Sequence, residues 1–333
     1  MTALRFPDVP RGRLPRRFPV RHALCAVPLV LVAVAAVRHR SVLAEGFGQL
    51  RTASWPWLLA AAAATCLTWV AAACTRQGAV VQPLPKKRLL VTQFAAGAAN
   101  HLLPTGLGAS AVNLRFMTVC GVPPARSSAA LALYLLAESV GRLGLLAALL
   151  VAFPDALRPG TLQPAGTSAE PPLLSGGSAL VPAVAGALVL IAAALAFVGR
   201  LRRAVCAFLR DALGEARSVH TRPARALALW GGSLAFPACQ AAGLAAVGRA
   251  LDLPVPPAHM ALAYLAATVA VALVPTPGGI GSVEAALIVA LVAAGGPAAV
   301  ATAVVLAYRV ITVWLPLVPG AVTLGALVRL KVI

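Results

Sequence analysis

The sequence Pro275-Thr276-Pro277-Gly278-Gly279-Ile280-Gly281-Ser282 stands between two apolar stretches, at 259–275 and 280–295. A similar break, Pro104-Thr105-Gly106-Leu107-Gly108, stands between the stretches 89–104 and 106–120. Proline starts a helix without losing a needed hydrogen-bond donor, and glycine lets the backbone turn. At both breaks we therefore expect one helix to end and another to begin inside an apolar part of the chain.

The composition is that of a membrane protein. Hydrophobic residues make up 60% of the 333 residues, charged residues only 11%, and the mean hydropathy is +0.88. A soluble domain of this size needs more charge to cover its surface. Several apolar stretches approach the ~20 residues that cross a bilayer core. The sequence therefore predicts an all-α polytopic membrane protein.

The formal net charge of +19 comes from basic residues that lie mostly in short stretches between apolar ones. Basic loops on the cytoplasmic side of a bilayer explain this charge, and we expect no nucleic acid partner. The six cysteines show no CxxC or CxxH spacing. We therefore expect neither a metal site nor a disulfide framework.

The positions of the basic clusters predict the topology. If 89–120 and 259–295 are re-entrant hairpins, all large basic clusters fall on one side, and the Pro/Gly/Ser-rich loop 154–177 falls on the other. The positive-inside rule favours this arrangement, with about six full spans, two re-entrant helical hairpins and both termini in the cytoplasm. We expect the membrane to be the bacterial cell membrane.

This topology predicts four segments. They are a basic cytoplasmic N-terminus at 1–21, a first membrane repeat at 22–153, the extracytoplasmic loop 154–177, and a second membrane repeat at 178–333. Within the second repeat, 200–222 has apolar residues at helical spacing and arginines between them. That pattern predicts an amphipathic helix on the inner leaflet.

The two halves repeat each other at an offset of about 173 positions. Arg76 matches Arg249, Pro104-Thr105 matches Pro275-Thr276, and Tyr134 matches Tyr308. Three full crossings in each half place the second half upside down relative to the first. Inverted repeats with broken helices are typical of secondary transporters, whose substrate sites lie where the breaks meet.

The breaks and a few intramembrane charges form the candidate site. Helix N-termini at the breaks favour a phosphate or carboxylate, although they can also be only tight turns with close helix packing. Glu138 and Arg142 are spaced to pair on one helix, and Ala137-x-x-x-Gly141 favours close helix contact. Arg309 has no obvious local partner, and we expect it to bind a headgroup phosphate. Glu284 lies three residues after the second break and can alternatively cap its own helix.

Asn100 and Asn113 flank the first break and offer hydrogen bonds to a polar headgroup. The predicted lipid headgroup site comprises Asn100, Pro104, Thr105, Gly106, Gly108, Asn113, Glu138, Arg142, Pro275, Thr276, Pro277, Gly278, Gly279, Gly281, Ser282, Glu284, Tyr308 and Arg309.

Asn100-His101-Leu102-Leu103-Pro104-Thr105-Gly106-Leu107-Gly108 is followed by Glu138 and Arg142, then by residues 275–284, then by Tyr308-Arg309. This series resembles the lysylphosphatidylglycerol synthase transmembrane domain family, the flippase-like portion of bacterial multiple-peptide-resistance proteins. The resemblance covers roughly residues 20–330. It implies lipid translocation or lipid-linked chemistry. Lysyl transfer belongs to a separate cytoplasmic synthase domain, which we do not expect in this chain.

The leading hypothesis is a flippase for a phospholipid, aminoacylated lipid, glycolipid or polyprenyl-linked lipid. The alternatives are a membrane enzyme of lipid-linked glycosyl or aminoacyl transfer, or an accessory subunit of one. No Asp-x-Asp pair and no Ser/His/Asp set occurs, so we expect no catalytic residue and no cofactor. The expected partners are membrane lipids and a separate lipid-modifying synthase or glycosyltransferase.

Overall fold

The computed structural model describes residues 37, 53–102, 107–154, 210, 212–272 and 281–329, which contain helices and no strand. In chain order the helices are α1 Trp55–Gly78, α2 Lys86–Leu102, α3 Gly108–Val119, α4 Pro124–Ala152, α5 Pro223–Ala250, α6 Pro257–Ala272, α7 Ser282–Ala293, α8 Ala298–Arg309, a π-helical turn Val310–Trp314, and α9 Leu315–Arg329. The predicted all-α fold class is confirmed.

Three helices among the described residues are long and apolar enough to cross a membrane. They are α1 with 24 residues, α4 with 29, and the continuous run Ala298–Arg329 with 32. At 1.5 Å per residue, even 24 residues reach ~36 Å, more than the ~30 Å of a bilayer core. The span predicted at 226–248 falls on the 28-residue α5. The spans predicted at 22–37 and 178–199 lie outside the described residues, apart from Val37.

The outer surface of the long helices is apolar. Large side chains that are more than half exposed include Leu59, Leu67, Leu136, Leu143 and Leu227. Such a surface is unfavourable in water and favourable against lipid tails. The chain is therefore a multi-pass membrane protein.

Two pairs of shorter helices flank the two breaks. Helices α2 and α3 have 17 and 12 residues, and α6 and α7 have 16 and 12. Twelve residues reach ~18 Å, which is too short to cross the bilayer core. The two helices of each pair pack against each other. The re-entrant hairpins expected at 89–120 and 259–295 stay a prediction, because the breaks at 103–106 and 273–280 lie outside the described residues.

The short helices α3 and α7 end in the same way. Gly121 and Gly295 both have a positive φ, 87° and 95°, a conformation that favours glycine. In each case the glycine N–H and the next N–H bond back to carbonyls of the last turn, at 3.1 and 3.1 Å after α3 and 2.9 and 3.0 Å after α7. Gly295 is thus the structural equivalent of Gly121.

Helices α1 and α5 make the most extensive contact among the described helices. Small residues allow it. A Cβ atom on Gly78 would overlap the backbone of Leu229, and one on Gly232 would lie 2.7 Å from the carbonyl oxygen of Ala71. Around this contact, α2 packs on α9 and α6 packs on α4. Each of these helices thus packs on a helix from the other half of the chain.

The segment before α5 is helical over residues 212–220. Val219 is fully buried against a cluster that includes Leu229, while Leu213 is 70% exposed. Residues 200–209 of the predicted amphipathic helix, the N-terminal segment 1–21 and nearly all of the loop 154–177 lie outside the described residues.

Candidate functional site

A cavity of about 820 Å³ lies between the two halves of the protein. Its wall is formed by residues between 68 and 142 from the first half and by residues between 236 and 317 from the second half. Charged and amide side chains on the wall are Arg76, Gln93, Asn100, Glu138, Arg142, Gln240 and Arg309. Charges within a membrane protein are costly and usually mark a substrate pathway or a functional ion pair. The cavity is therefore the candidate site.

The first ion pair of the cavity joins α1 to α4. Arg76 Nη1 lies 2.6 Å from Glu138 Oε1 and 3.2 Å from the carbonyl oxygen of Ala72. The guanidinium carbon lies 4.4 Å from the centre of the Tyr134 ring, which adds a cation–π contact. The side chains of Arg76 and Glu138 are 9% and 20% exposed. The predicted pairing of Glu138 with Arg142 is thus wrong, because Glu138 pairs with Arg76.

The second ion pair joins α7 to α8. Arg309 Nε lies 2.6 Å from Glu284 Oε1, so the expectation that Arg309 lacks a local partner is also wrong. The other carboxylate oxygen, Glu284 Oε2, accepts a hydrogen bond from the Gly281 N–H at 2.7 Å. Gly281 has a φ of 93° at the start of α7. The alternative that Glu284 caps its own helix is confirmed.

The capping contact changes the interpretation of the second break. The helix N-terminus was predicted to receive a phosphate or carboxylate from a ligand. The Glu284 carboxylate already satisfies the Gly281 amide, and it also carries the charge that balances Arg309. The protein thus supplies its own anion at this helix start.

Arg142 is the guanidinium on the wall that has no ion pair or hydrogen bond within the described part of the chain. It lies on α4 one turn after Glu138 and is half-buried. Since Glu138 is occupied by Arg76, the positive charge of Arg142 faces the cavity without a described counter-charge.

Buried polar atoms on the wall also lack partners. Within the described ranges these include Arg76 Nε, Arg309 Nη2 and Gln240 Oε1. The two arginines are each only 8% exposed. Buried donors and acceptors are nearly always paired in folded proteins, by protein, water or ligand. Two open donors and one open acceptor thus point to a polar occupant of the cavity.

A π-helical turn at Val310–Trp314 directly follows Arg309. Residues that line the cavity here recur every four positions, as Tyr308-Arg309, Thr312-Val313 and Pro316-Leu317. In an α-helix such a spacing drifts by about 40° per step, whereas the wider π turn keeps these residues on one face. Pro316 also lacks the N–H that an α-helix would direct to the carbonyl of Thr312. The π turn therefore places Arg309 on the same face of the helix as the cavity-lining residues Thr312 and Pro316.

The cavity wall also has an apolar part. Trp69 and Phe94 stack with ring centroids 4.0 Å apart, and Phe236, Val271 and Leu317 add to this surface. A wall with charged, amide and aromatic parts suits a molecule that has both polar and apolar groups.

The other predicted site residues divide into three groups. Asn100 and Tyr308 line the cavity. Asn113 is buried between α2 and α3, where it accepts a hydrogen bond from Gln93 Nε2 at 3.1 Å and donates one to the carbonyl of Ala109 at 2.8 Å. It holds the two helices together and does not line the cavity.

Contacts with neighbouring helices explain the positions of Gly108, Gly141 and Tyr308. A Cβ on Gly108 would overlap the backbone of Ala99, and one on Gly141 would lie 2.7 Å from the carbonyl oxygen of Ser233. The predicted close helix contact at Gly141 is confirmed. Tyr308 donates to the carbonyl of Gln240 at 3.2 Å. Ser282 begins α7.

The remaining predicted site residues lie outside the described residues. They are Pro104, Thr105, Gly106, Pro275, Thr276, Pro277, Gly278 and Gly279.

Sequence reasoning missed Arg76, Gln93 and Gln240 as site residues. The sequence nevertheless indicates all three as candidates, since each is a charged or amide side chain inside or shortly after an apolar stretch. Such residues in membrane helices usually face the protein interior. Arg76, which matches Arg249 in the other half, lies two positions past the stretch 55–74.

The fold and this cavity define a multi-pass α-helical membrane protein with a charged central site. The family model described as the lysylphosphatidylglycerol synthase TM region matches residues 23–320, and the chain belongs to this family. The resemblance found in the sequence is thereby confirmed. No curated protein sequence gives a significant match to the chain.

Proposed function

We propose that this protein moves a lipid between the two leaflets of a bacterial cell membrane, with the headgroup in the central cavity and the acyl chains in the surrounding bilayer. The observation that carries this proposal is the set of charged and unpaired polar atoms on the cavity wall. A helical bundle that only anchors another protein has no use for such groups inside the membrane.

The size and lining of the cavity support a headgroup as the occupant. A volume of about 820 Å³ falls in the range of small-molecule sites. The guanidinium groups of Arg76, Arg142 and Arg309 suit phosphate oxygens, which arginine binds in a fixed geometry. Trp69 and Phe94 offer apolar surface for the glycerol region of a lipid.

The internal repeat gives a way to open the cavity to either leaflet. In this proposal the halves are inverted relative to each other, and the pairs α2–α3 and α6–α7 are re-entrant hairpins that enter from opposite sides. Rocking of one half against the other around a central site is the usual mechanism of inverted-repeat transporters. The contact between α1 and α5 is the surface on which the halves would move. Both termini lie in the cytoplasm.

Reconstitution into liposomes tests this function. Lipids with a fluorescent acyl chain are placed in both leaflets, and a membrane-impermeant reductant quenches the outer ones. Faster loss of the inner fluorescence than in protein-free liposomes supports translocation. No acceleration for anionic, zwitterionic or glycosylated lipids would refute it, and would favour an enzyme of lipid-linked chemistry or an accessory subunit of a separate synthase or glycosyltransferase.

A double variant locates the site within the same assay. Glu284→Gln with Arg309→Gln removes one ion pair without changing the net charge of the cavity. We expect slower translocation, because Arg309 no longer offers a guanidinium to the headgroup. Arg126→Gln serves as the matched control, since Arg126 is exposed at the start of α4 and does not line the cavity. Equal rates for both variants would place the headgroup elsewhere.

A further inference from the structure

We propose that the cargo is a lipid with a net negative headgroup, and that Arg142 is the residue that selects it. This assignment rests on the proposed function and names the substrate class of the same cavity. It follows from the balance of charges on the wall and from the unpaired atoms beside them.

The three arginines of the wall have only two carboxylate partners. Arg76 is balanced by Glu138 and Arg309 by Glu284, which leaves Arg142. His101 also lines the cavity and contributes either no charge or a further positive one. The three arginines and their two carboxylate partners together have a charge of at least +1.

The sequence contains no other carboxylate that belongs to the apolar stretches. Its nine acidic residues include Glu138 and Glu284, and the other seven lie outside those stretches, at Asp8, Glu45, Asp155, Glu170, Asp211, Glu215 and Asp252. Residues 103–106 and 273–280 carry no ionisable side chain. The counter-charge for Arg142 therefore has to come from outside the membrane-spanning part of the chain, and a ligand in the cavity can supply it.

The unpaired atoms indicate the chemistry of that ligand. Arg76 Nε and Arg309 Nη2 are buried donors that need acceptors, as phosphate oxygens are. Gln240 Oε1 is a buried acceptor that needs a donor, as a headgroup hydroxyl is. A phosphodiester with a hydroxyl-bearing headgroup, as in phosphatidylglycerol, satisfies all three atoms and neutralises Arg142.

Charge also ranks the competing lipids. A zwitterionic lipid such as phosphatidylethanolamine brings no net charge and leaves the excess of Arg142 in place. A lysyl ester of phosphatidylglycerol brings a net positive charge and increases the excess. Like charges in a low-dielectric cavity repel strongly. The expected order of preference is therefore phosphatidylglycerol, then phosphatidylethanolamine, then lysylphosphatidylglycerol.

The liposome assay with these three lipids, each labelled on the acyl chain, tests the order. We expect the wild type to translocate phosphatidylglycerol about tenfold faster than phosphatidylethanolamine. Arg142→Gln should bring the two rates together, Arg142→Lys should keep most of the difference, and the control Arg126→Gln should leave it unchanged. Equal rates in the wild type, or an unchanged ratio in Arg142→Gln, would overturn the assignment.

A binding measurement separates this assignment from the proposed function. Short-chain phosphatidylglycerol and phosphatidylethanolamine are titrated into the detergent-solubilised protein by calorimetry. If no lipid is translocated, the proposed function fails. In that case tighter binding of phosphatidylglycerol that Arg142→Gln abolishes would still support the selectivity, and equal binding of both lipids would overturn it.

Discussion

Glu138 is bonded to Arg76, 62 positions earlier in the chain, although Arg142 lies one turn away on the same helix. A pair at i,i+4 on an exposed helix contributes only about 0.3–0.5 kcal/mol. The contact to Arg76 is shielded from solvent and gains a cation–π interaction with Tyr134. The stronger pair fixes α4 against α1 and leaves Arg142 open to the cavity.

Glu138→Gln should destabilise the protein, because Arg76 keeps its charge in a site that is only 8% exposed. Removal of one partner of a buried pair typically costs about 3–5 kcal/mol. Thermal unfolding in detergent measures the effect. Glu215→Gln is the matched control, since Glu215 has no ion pair in the described chain. A Tm as high as that of the control would mean that the pair contributes nothing.

Replacement of both partners gives a second test of the ion pair between Arg76 and Glu138. Arg76→Met with Glu138→Leu removes both charges and keeps apolar volume. We expect a Tm closer to wild type than that of Glu138→Gln, because no uncompensated charge remains. A double variant less stable than Glu138→Gln would show that the two charges also make stabilising interactions with other groups.

Gly232→Ala should destabilise the contact between α1 and α5, because the new Cβ would lie 2.7 Å from the carbonyl oxygen of Ala71. The adjacent Gly231→Ala is the control. Gly231 is exposed and has no atom within 4 Å of a Cβ. Alanine there should raise helix stability by up to about 1 kcal/mol. Equal Tm values for the two variants would contradict the close contact.

Gly121→Ala and Gly295→Ala should lower stability by similar amounts, because each glycine ends a short helix with a positive φ. A non-glycine residue in such a conformation costs about 1–2 kcal/mol. Gly144→Ala is the control, since Gly144 lies inside α4 with free space around it. Clearly unequal losses at Gly121 and Gly295 would argue against the structural equivalence of the two positions.

Gln82→Cys and Pro254→Cys should face opposite sides of the membrane, because the two loops occupy corresponding places in the halves. Both positions are exposed, after α1 and after α5. In a variant without native cysteines, a membrane-impermeant maleimide added to intact cells should label Pro254→Cys and leave Gln82→Cys unmodified. Labelling of both or neither in intact cells, with full labelling after permeabilisation, would refute the inverted arrangement.

The membrane class, the helices and the family followed from local features of the sequence. Apolar length, the two Pro/Gly breaks and the order of motifs needed no knowledge of tertiary contacts. The capping role of Glu284 was also accessible, since Glu284 lies only three positions after Gly281, the residue whose N–H it accepts. These features depend on residues that are close together in the sequence, so the sequence alone is enough to predict them.

The partners of the charges were not accessible in the same way. Asn113 was expected to face a headgroup, yet it bonds Gln93 because α2 packs on α3. Arg309 has no obvious local partner in the sequence, yet it bonds Glu284, 25 positions earlier. Which side chains meet depends on how helices rotate and pack, and apolar periodicity is weak evidence for rotation when most faces are apolar.

The distances along the chain between paired charges have a consequence for biosynthesis. In the first half the cation is made first, and Arg76 precedes Glu138 by 62 residues. At about 5–20 residues per second, Arg76 waits several seconds before its counter-charge leaves the ribosome. In the second half the anion is made first, and the interval is shorter. During insertion, α1 therefore carries an unmatched arginine, which near the end of the helix can reach the lipid headgroups until α4 arrives.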